Sequence, residues 1–132
     1  MGGTGELAYA RLKELGGIPS EWTYPYVSIL GKASTCHGTF PLPPASPHTG
    51  KVSAAANVTG FHNTVSNSYA DMLHTLATVG PLAVSVDASQ WHDYAGGVFD
   101  GGNHTNPSLD HLVQLVGYGT DEETGKDYWL IR

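Results

Sequence analysis

The spacing of apolar and polar residues predicts two helices, one near each end of the first eighty residues, followed by a strand-rich C-terminal part. Over residues 4–15, Ala8, Leu12 and Leu15 recur at i, i+4 and i+7, a single helical stripe. Thr4 is placed to cap this helix, Glu6 sits at its positive end, and Gly16-Gly17 supply a left-handed stop. A second helix is expected over residues 66–78, with Tyr69, Met72, Leu73, Leu76 and Ala77 on its apolar face. Ser68-x-x-Asp71 has the form of a capping box, and Gly80-Pro81 ends the helix. Residues 82–86 follow as a strand, and Gly96-Gly97-Val98-Phe99 as a short extended piece bounded by glycines. Residues 112–116 read as a strand apolar on both faces, broken by Gln114. A polar turn over 121–126 and a return strand over 128–131 complete a hairpin. Pro41, Pro43, Pro44 and Pro47 exclude helix and central strand from their stretch, which is expected to be a surface loop.

The 132 residues are one domain's worth, or one piece of a larger domain, and 40% hydrophobic content suffices for a core. Six basic against 12 acidic residues give a net charge of −6, which argues against nucleic-acid and anionic-membrane partners. No apolar run approaches the ~20 residues of a membrane span. Arg11, Lys13 and Glu14 interrupt the apolar residues near the start, so no signal-peptide core is present there. The first helix begins within a few residues of Met1, and the last strand runs to Arg132 without cap or turn. Both features lead to the expectation that the chain is a piece of a longer protein.

Candidate chemistry is sparse. Asp110-His111 opens a strand after a turn rich in Asn, Pro and Ser. A histidine at such a junction can serve as a general base near neutral pH, or can be a hydrogen-bonded structural residue. The seven histidines lack His-Glu-x-x-His, and the single cysteine rules out Cys-x-x-Cys, so no metal is expected. Gly2-Gly3 could offer backbone N–H groups to an anion, or simply start a helix tightly. Cys36 suits a disulfide with a partner elsewhere, or a bystander, better than a nucleophile. Sequons begin at Asn57 and Asn103, usable only in a secretory compartment. The scattered Trp and Tyr residues are expected to be mostly core or subdomain-packing groups.

Taken in order, several segments resemble the papain-like cysteine proteases, cathepsins included. Gly2-Gly3 before a helix is similar to the Cys-x-Gly-Gly helix start of that family. Gly16-Gly17-Ile18-Pro19-Ser20-Glu21 with Tyr24-Pro25-Tyr26, then Gly80-Pro81-Leu82-Ala83-Val84-Ser85-Val86, resemble two further family segments. So do Trp91-x-x-Tyr94-x-Gly96-Gly97-Val98-Phe99 and Leu109-Asp110-His111-Leu112-Val113 with Val116-Gly117-Tyr118-Gly119. Asp127-Tyr128-Trp129-Leu130-Ile131-Arg132 is similar to the strand that leads into Asn-Ser-Trp-Gly.

The resemblance implies an α+β fold, with residues 1–35 the tail of a helical left domain and 36–132 most of an antiparallel, barrel-like right domain. It implies a peptidase in which a Cys thiolate attacks the amide, His111 pairs with the thiolate and protonates the leaving amine, and an Asn orients the ring. The Cys would lie roughly 19–39 residues before Met1 and the Asn directly after Arg132. Cys36 would then be a disulfide cysteine whose partner is also outside the chain. Substrate contacts would come from Gly2, Gly3, Thr4, Gly5, Ser85, Leu109, Asp110 and Leu112. Leu112 in place of the usual Ala or Gly makes the S2 pocket shallower, whereas Thr4 and Gly5 in place of larger apolar residues widen it. No cofactor is implied. Partners would be peptide or protein substrates, a prodomain and a cystatin-like inhibitor, in a lysosomal, vacuolar or secreted setting. The piece alone would be inactive. The rival expectation is a non-catalytic homologue that kept the fold as a binding or structural protein; an unrelated metal-binding β protein is a third.

Overall fold

The computed structural model describes residues 3–35, 42 and 52–132. Gly2, Cys36 and the prolines of the predicted loop lie outside the described residues. The fold is α+β, with helices α1 and α2 and strands β1 to β5 in two separate antiparallel sheets, neither closed into a barrel among the described residues. The chain divides into two compact units, Met1–His62 and Asn63–Arg132.

In the first unit α1 spans Gly5–Glu14, with the Thr4 side chain accepting from the Leu7 N–H at 3.4 Å. Gly16 and Gly17 stop it at φ values of 82° and 137°, as their lack of a Cβ permits. The expected stripe is only half realised: Leu12 and Leu15 are half-buried, while Ala8 is exposed. The core of this unit gathers instead at Leu42 and Ala54, both buried, and the Leu42 N–H donates to the Leu15 carbonyl at 2.6 Å. A sheet not anticipated from the sequence joins β1 (Ile18–Pro19) to β2 (Ala54–Ala56). Its elements are too short to cover much, and Trp22 is 96% exposed.

Gly17, the residue before β1, lies close against β2. A Cβ there would run into the Ala56 carbonyl oxygen and come within 3.0 Å of the Ala54 methyl. Gly17→Ala is therefore expected to destabilise this unit by about 1–3 kcal/mol, combining left-handed backbone strain with overpacking. Faster amide exchange at Ile18 and Ala56, with the second unit unaffected, would register the loss.

In the second unit α2 spans Tyr69–Thr78, starting later than predicted because Ser68 is the cap, its side chain accepting from the Asp71 N–H at 3.3 Å. The capping box is not reciprocal. Asp71 reaches past Ser68 to accept from the Val65 N–H at 2.6 Å, stapling the preceding turn to the helix. Leu76 is buried and Met72 and Leu73 are half-buried, whereas Tyr69 and Ala77 are exposed.

Strands β3 (Leu82–Val86), β4 (His111–Thr120) and β5 (Asp127–Ile131) form one sheet in that order, and α2 packs against β4. Val113 and Leu115 point inward, while Leu112, Gln114, Val116 and Tyr118 lie on the other, more open face. Strand β4 thus carries apolar residues on both faces, as expected, but buries only one of them, and Gln114 occupies an ordinary outward position. The strand also continues through Gly117 and Gly119, which pair with Leu130 and Tyr128. A Cβ on Gly119 would sit 2.7 Å from the Tyr128 hydroxyl oxygen, so the glycine makes room for its cross-strand neighbour. The predicted turn closes as expected, with the Asp121 N–H donating to the Lys126 carbonyl at 2.8 Å. Residues 96–99 form no strand; the Tyr94 hydroxyl instead donates to the Gly97 carbonyl at 2.7 Å, with Gly97 at φ 79°.

Candidate active site

His111 is the first residue of β4 and pairs with Val86, the last residue of β3. Inward positions alternate as 115, 113 and then 111, but at 111 the core has run out and the imidazole is exposed. Its neighbour is Trp91, from the short 3-10 helix Trp91–Asp93: the rings meet edge to face, with centroids 6.0 Å apart and planes at 82°. A perpendicular aromatic neighbour limits the ring's rotation.

The backbone leading into His111 is tied to the segment after β3 by two carboxylates, one from each side. Asp110 donates its N–H to the Val86 carbonyl at 3.1 Å and accepts from the Ala88 N–H through Oδ1 at 2.9 Å. Asp87 answers from the other side: its Oδ2 accepts from the Ser108 N–H at 2.9 Å. Its Oδ1 accepts from the Ser89 hydroxyl at 2.6 Å and the Ser89 N–H at 3.1 Å. The Ser89 hydroxyl, then the Ser108 and Ser89 amides, hold the Asp87 carboxyl below the usual carboxylate range. The Ala88 carbonyl in turn accepts from the Trp91 N–H at 3.0 Å. A closed circuit therefore runs from Asp110 through Ala88 and Trp91 to the His111 ring. Neither Asp87 nor the Trp91 contact was singled out from the sequence as part of a site. Asp87-Ala88-Ser89 directly after a predicted strand was the available signal, since Asp there favours bonding to nearby backbone.

The other expected contact residues fall in their own units. In the second, Ser85 and Leu112 are direct cross-strand partners on the open face of the sheet, with Leu112 45% and nearby Leu109 64% exposed. Ordinary alternation puts that pair on the face opposite His111. In the first unit Gly3 has open space around its missing side chain, Thr4 is the helix cap and Gly5 is the first helical residue. The positive end of α1 is already occupied by Glu6. Its carboxyl lies below its usual range through its own backbone N–H and the Thr4 hydroxyl. Among the described residues, no group of three or more His, Cys, Asp and Glu could hold a metal ion, and no helix is long and apolar enough to cross a membrane.

These features describe an α+β chain with one strand-leading histidine, braced by an aromatic edge and by carboxylates on the backbone beside it. The chain belongs to the papain family of cysteine proteases, whose description it matches across residues 1–132. It is 35% identical over 133 residues to cathepsin L of Sarcophaga peregrina, covering 99% of this chain and 35% of that protein. To procathepsin L of Mus musculus it is 35% identical over 136 residues, 99% of this chain and 36% of the other. The chain thus spans about a third of the length of these relatives. Among solved structures it is similar to the bromelain protease of Ananas comosus, in complex with the E64 inhibitor, with TM-score 0.76, 30% identity and coverage of 99% of this chain and 53% of that one. Digestive procathepsin L2 of the Tenebrio molitor larval midgut gives TM-score 0.71 at 33% identity, covering 99% of this chain and 37% of the other.

Proposed function

We propose that this chain is the histidine-bearing part of a papain-like cysteine endopeptidase and that His111 is its general acid and base. The observation that carries the proposal is the placement of His111 at the head of β4, braced against Trp91, in a chain of this family. The reaction follows from the chemistry of the pair. The imidazolium of His111 stabilises a thiolate, which adds to the peptide carbonyl carbon. The tetrahedral intermediate then collapses as His111 donates its proton to the leaving amine, giving a thioester. His111 next removes a proton from water, whose oxygen adds to the thioester carbonyl and expels the thiolate, releasing the acid and restoring the thiolate–imidazolium pair. The thiolate and the ring-orienting Asn come from outside residues 1–132. Cys36 is a disulfide cysteine, and Gly2, Gly3, Thr4, Gly5, Ser85, Leu109, Asp110 and Leu112 are the substrate contacts. A prodomain, a cystatin-like inhibitor and a lysosomal, vacuolar or secreted setting belong to the same proposal; the procathepsin relatives support the prodomain.

The isolated chain is expected to give no turnover of a fluorogenic dipeptidyl substrate. The polypeptide extended upstream to the Cys-Trp helix and downstream through Asn-Ser-Trp-Gly is expected to turn it over and to be blocked by a thiol-directed epoxide. Turnover by the isolated chain that disappears in Cys36→Ser would overturn the assignment of Cys36. Ser or Gly at the nucleophile position of the extended polypeptide would instead make the chain a non-catalytic relative.

A further inference from the structure

We propose that Asp87 is a positioning residue for His111. The inference rests on the reading of His111 as the proton-transfer residue and adds to it the group that fixes where the imidazole stands. Strands β3 and β4 lose their ladder immediately beyond the Val86–His111 pair, because β3 ends at Val86 and β4 begins at His111. Left there, residues 87–91 and 108–110 would be two loops leaving a frayed sheet end. The carboxylates of Asp87 and Asp110 continue the ladder in its place, each accepting a backbone N–H from the opposite segment at 2.9 Å. The two bonds act on different parts. Asp110 holds Ala88, whose carbonyl receives the Trp91 N–H, and so holds the segment that carries the indole. Asp87 holds Ser108, and so holds the approach that carries His111. The 6.0 Å edge contact between indole and imidazole requires both segments to be fixed. The two Ser89 bonds to Oδ1 orient the Asp87 carboxylate so that Oδ2 faces Ser108.

Asp87 touches neither His111 nor Trp91 in any hydrogen bond or ring contact, so the role assigned to it is the placement of the segments that carry them. Misplacement of a proton-transfer group by a fraction of an ångström acts on the chemical step rather than on ground-state binding. The test uses Asp87→Asn and Asp87→Ala in the complete polypeptide that supplies the thiolate, with Ser89→Ala as the mild comparison. For Asp87→Ala, kcat is expected to fall about tenfold or more with KM little changed. Asp87→Asn should lie between, since its one remaining acceptor can serve either Ser108 or Ser89 but not both. Ser89→Ala, which keeps the Ser108 tie, should stay near the parent. A structural signature accompanies this. The His111 ring proton resonances should move in Asp87→Ala as the ring leaves its perpendicular contact with Trp91, while the amide signals of Val113 and Leu115 stay in place. Unchanged kcat and unchanged His111 resonances in both Asp87 variants would overturn the inference. Turnover indifferent to His111→Ala would overturn the peptidase reading itself, so the two failures are distinguishable. Global unfolding of Asp87→Ala leaves the decision to Asp87→Asn and Ser89→Ala, whose order in kcat the inference fixes.

Discussion

Replacing His111 with alanine in the complete polypeptide is expected to lower kcat/KM by about 10⁴-fold or more, most of it in kcat. Removing the base from hydrolases that pair a nucleophile with histidine brings losses of that order, leaving only what binding and oxyanion stabilisation supply. The effect should be chemical rather than structural. His111 is exposed at the end of β4, its ring standing edge to face with that of Trp91, so truncation is expected to leave no cavity and no buried group without a partner. The pairing of Ser85 with Leu112 and of Val84 with Val113 lies inside the sheet and does not need the imidazole. Unchanged amide spectra for residues 113–119 alongside a collapsed rate would establish this. His111→Gln offers a stricter version, keeping a polar group beside Trp91 without a titratable nitrogen, and should be nearly as inactive. Retention of even a tenth of the parent rate in both variants would remove His111 from the mechanism.

How much of this was legible in the sequence depended on how local the cause was. The cap at Thr4, the glycine stop after α1 and the span of β3 are each settled by a few adjacent residues, and each stands where it was expected. Strand β4 was predicted too short because Gly117 and Gly119 look like strand breakers when read alone. They are strand residues because β5 pairs with both, and at Gly119 the Tyr128 side chain occupies the space a side chain would have filled. The pairing of β1 with β2 had no local signal, since one strand is Ile18–Pro19 and the other Ala54–Ala56. In the site, His111 came from motif order, whereas the ties of Asp87 to Ser108 and of Trp91 to His111 join residues some twenty positions apart. Only the antiparallel return of β4 onto β3 brings them together.

Leu115→Ala is the substitution expected to destabilise the second unit most, by about 3–4 kcal/mol. Leu115 is 1% exposed and stands at the middle of the sheet, opposite Leu82 on one side and Ile131 on the other. The described core of this unit has few members, Leu76 and Val113 being the other buried side chains, so little material can collapse into the space a lost isobutyl group leaves. A loss of that size is comparable to the whole margin of a small domain. The urea midpoint should therefore drop sharply with the slope of the transition unchanged, the mark of lost stability rather than altered compactness. The control is Leu112→Ala, three positions earlier on the open face, where the side chain is already 45% exposed and its truncation should shift the midpoint little. Equal shifts for the two variants would mean that the alternation of β4 does not define a core. The same comparison bears on the site, because β4 carries His111 at its head: if Leu115→Ala frays the strand, the Trp91 edge contact should be lost with it, whereas Leu112→Ala should leave that contact in place.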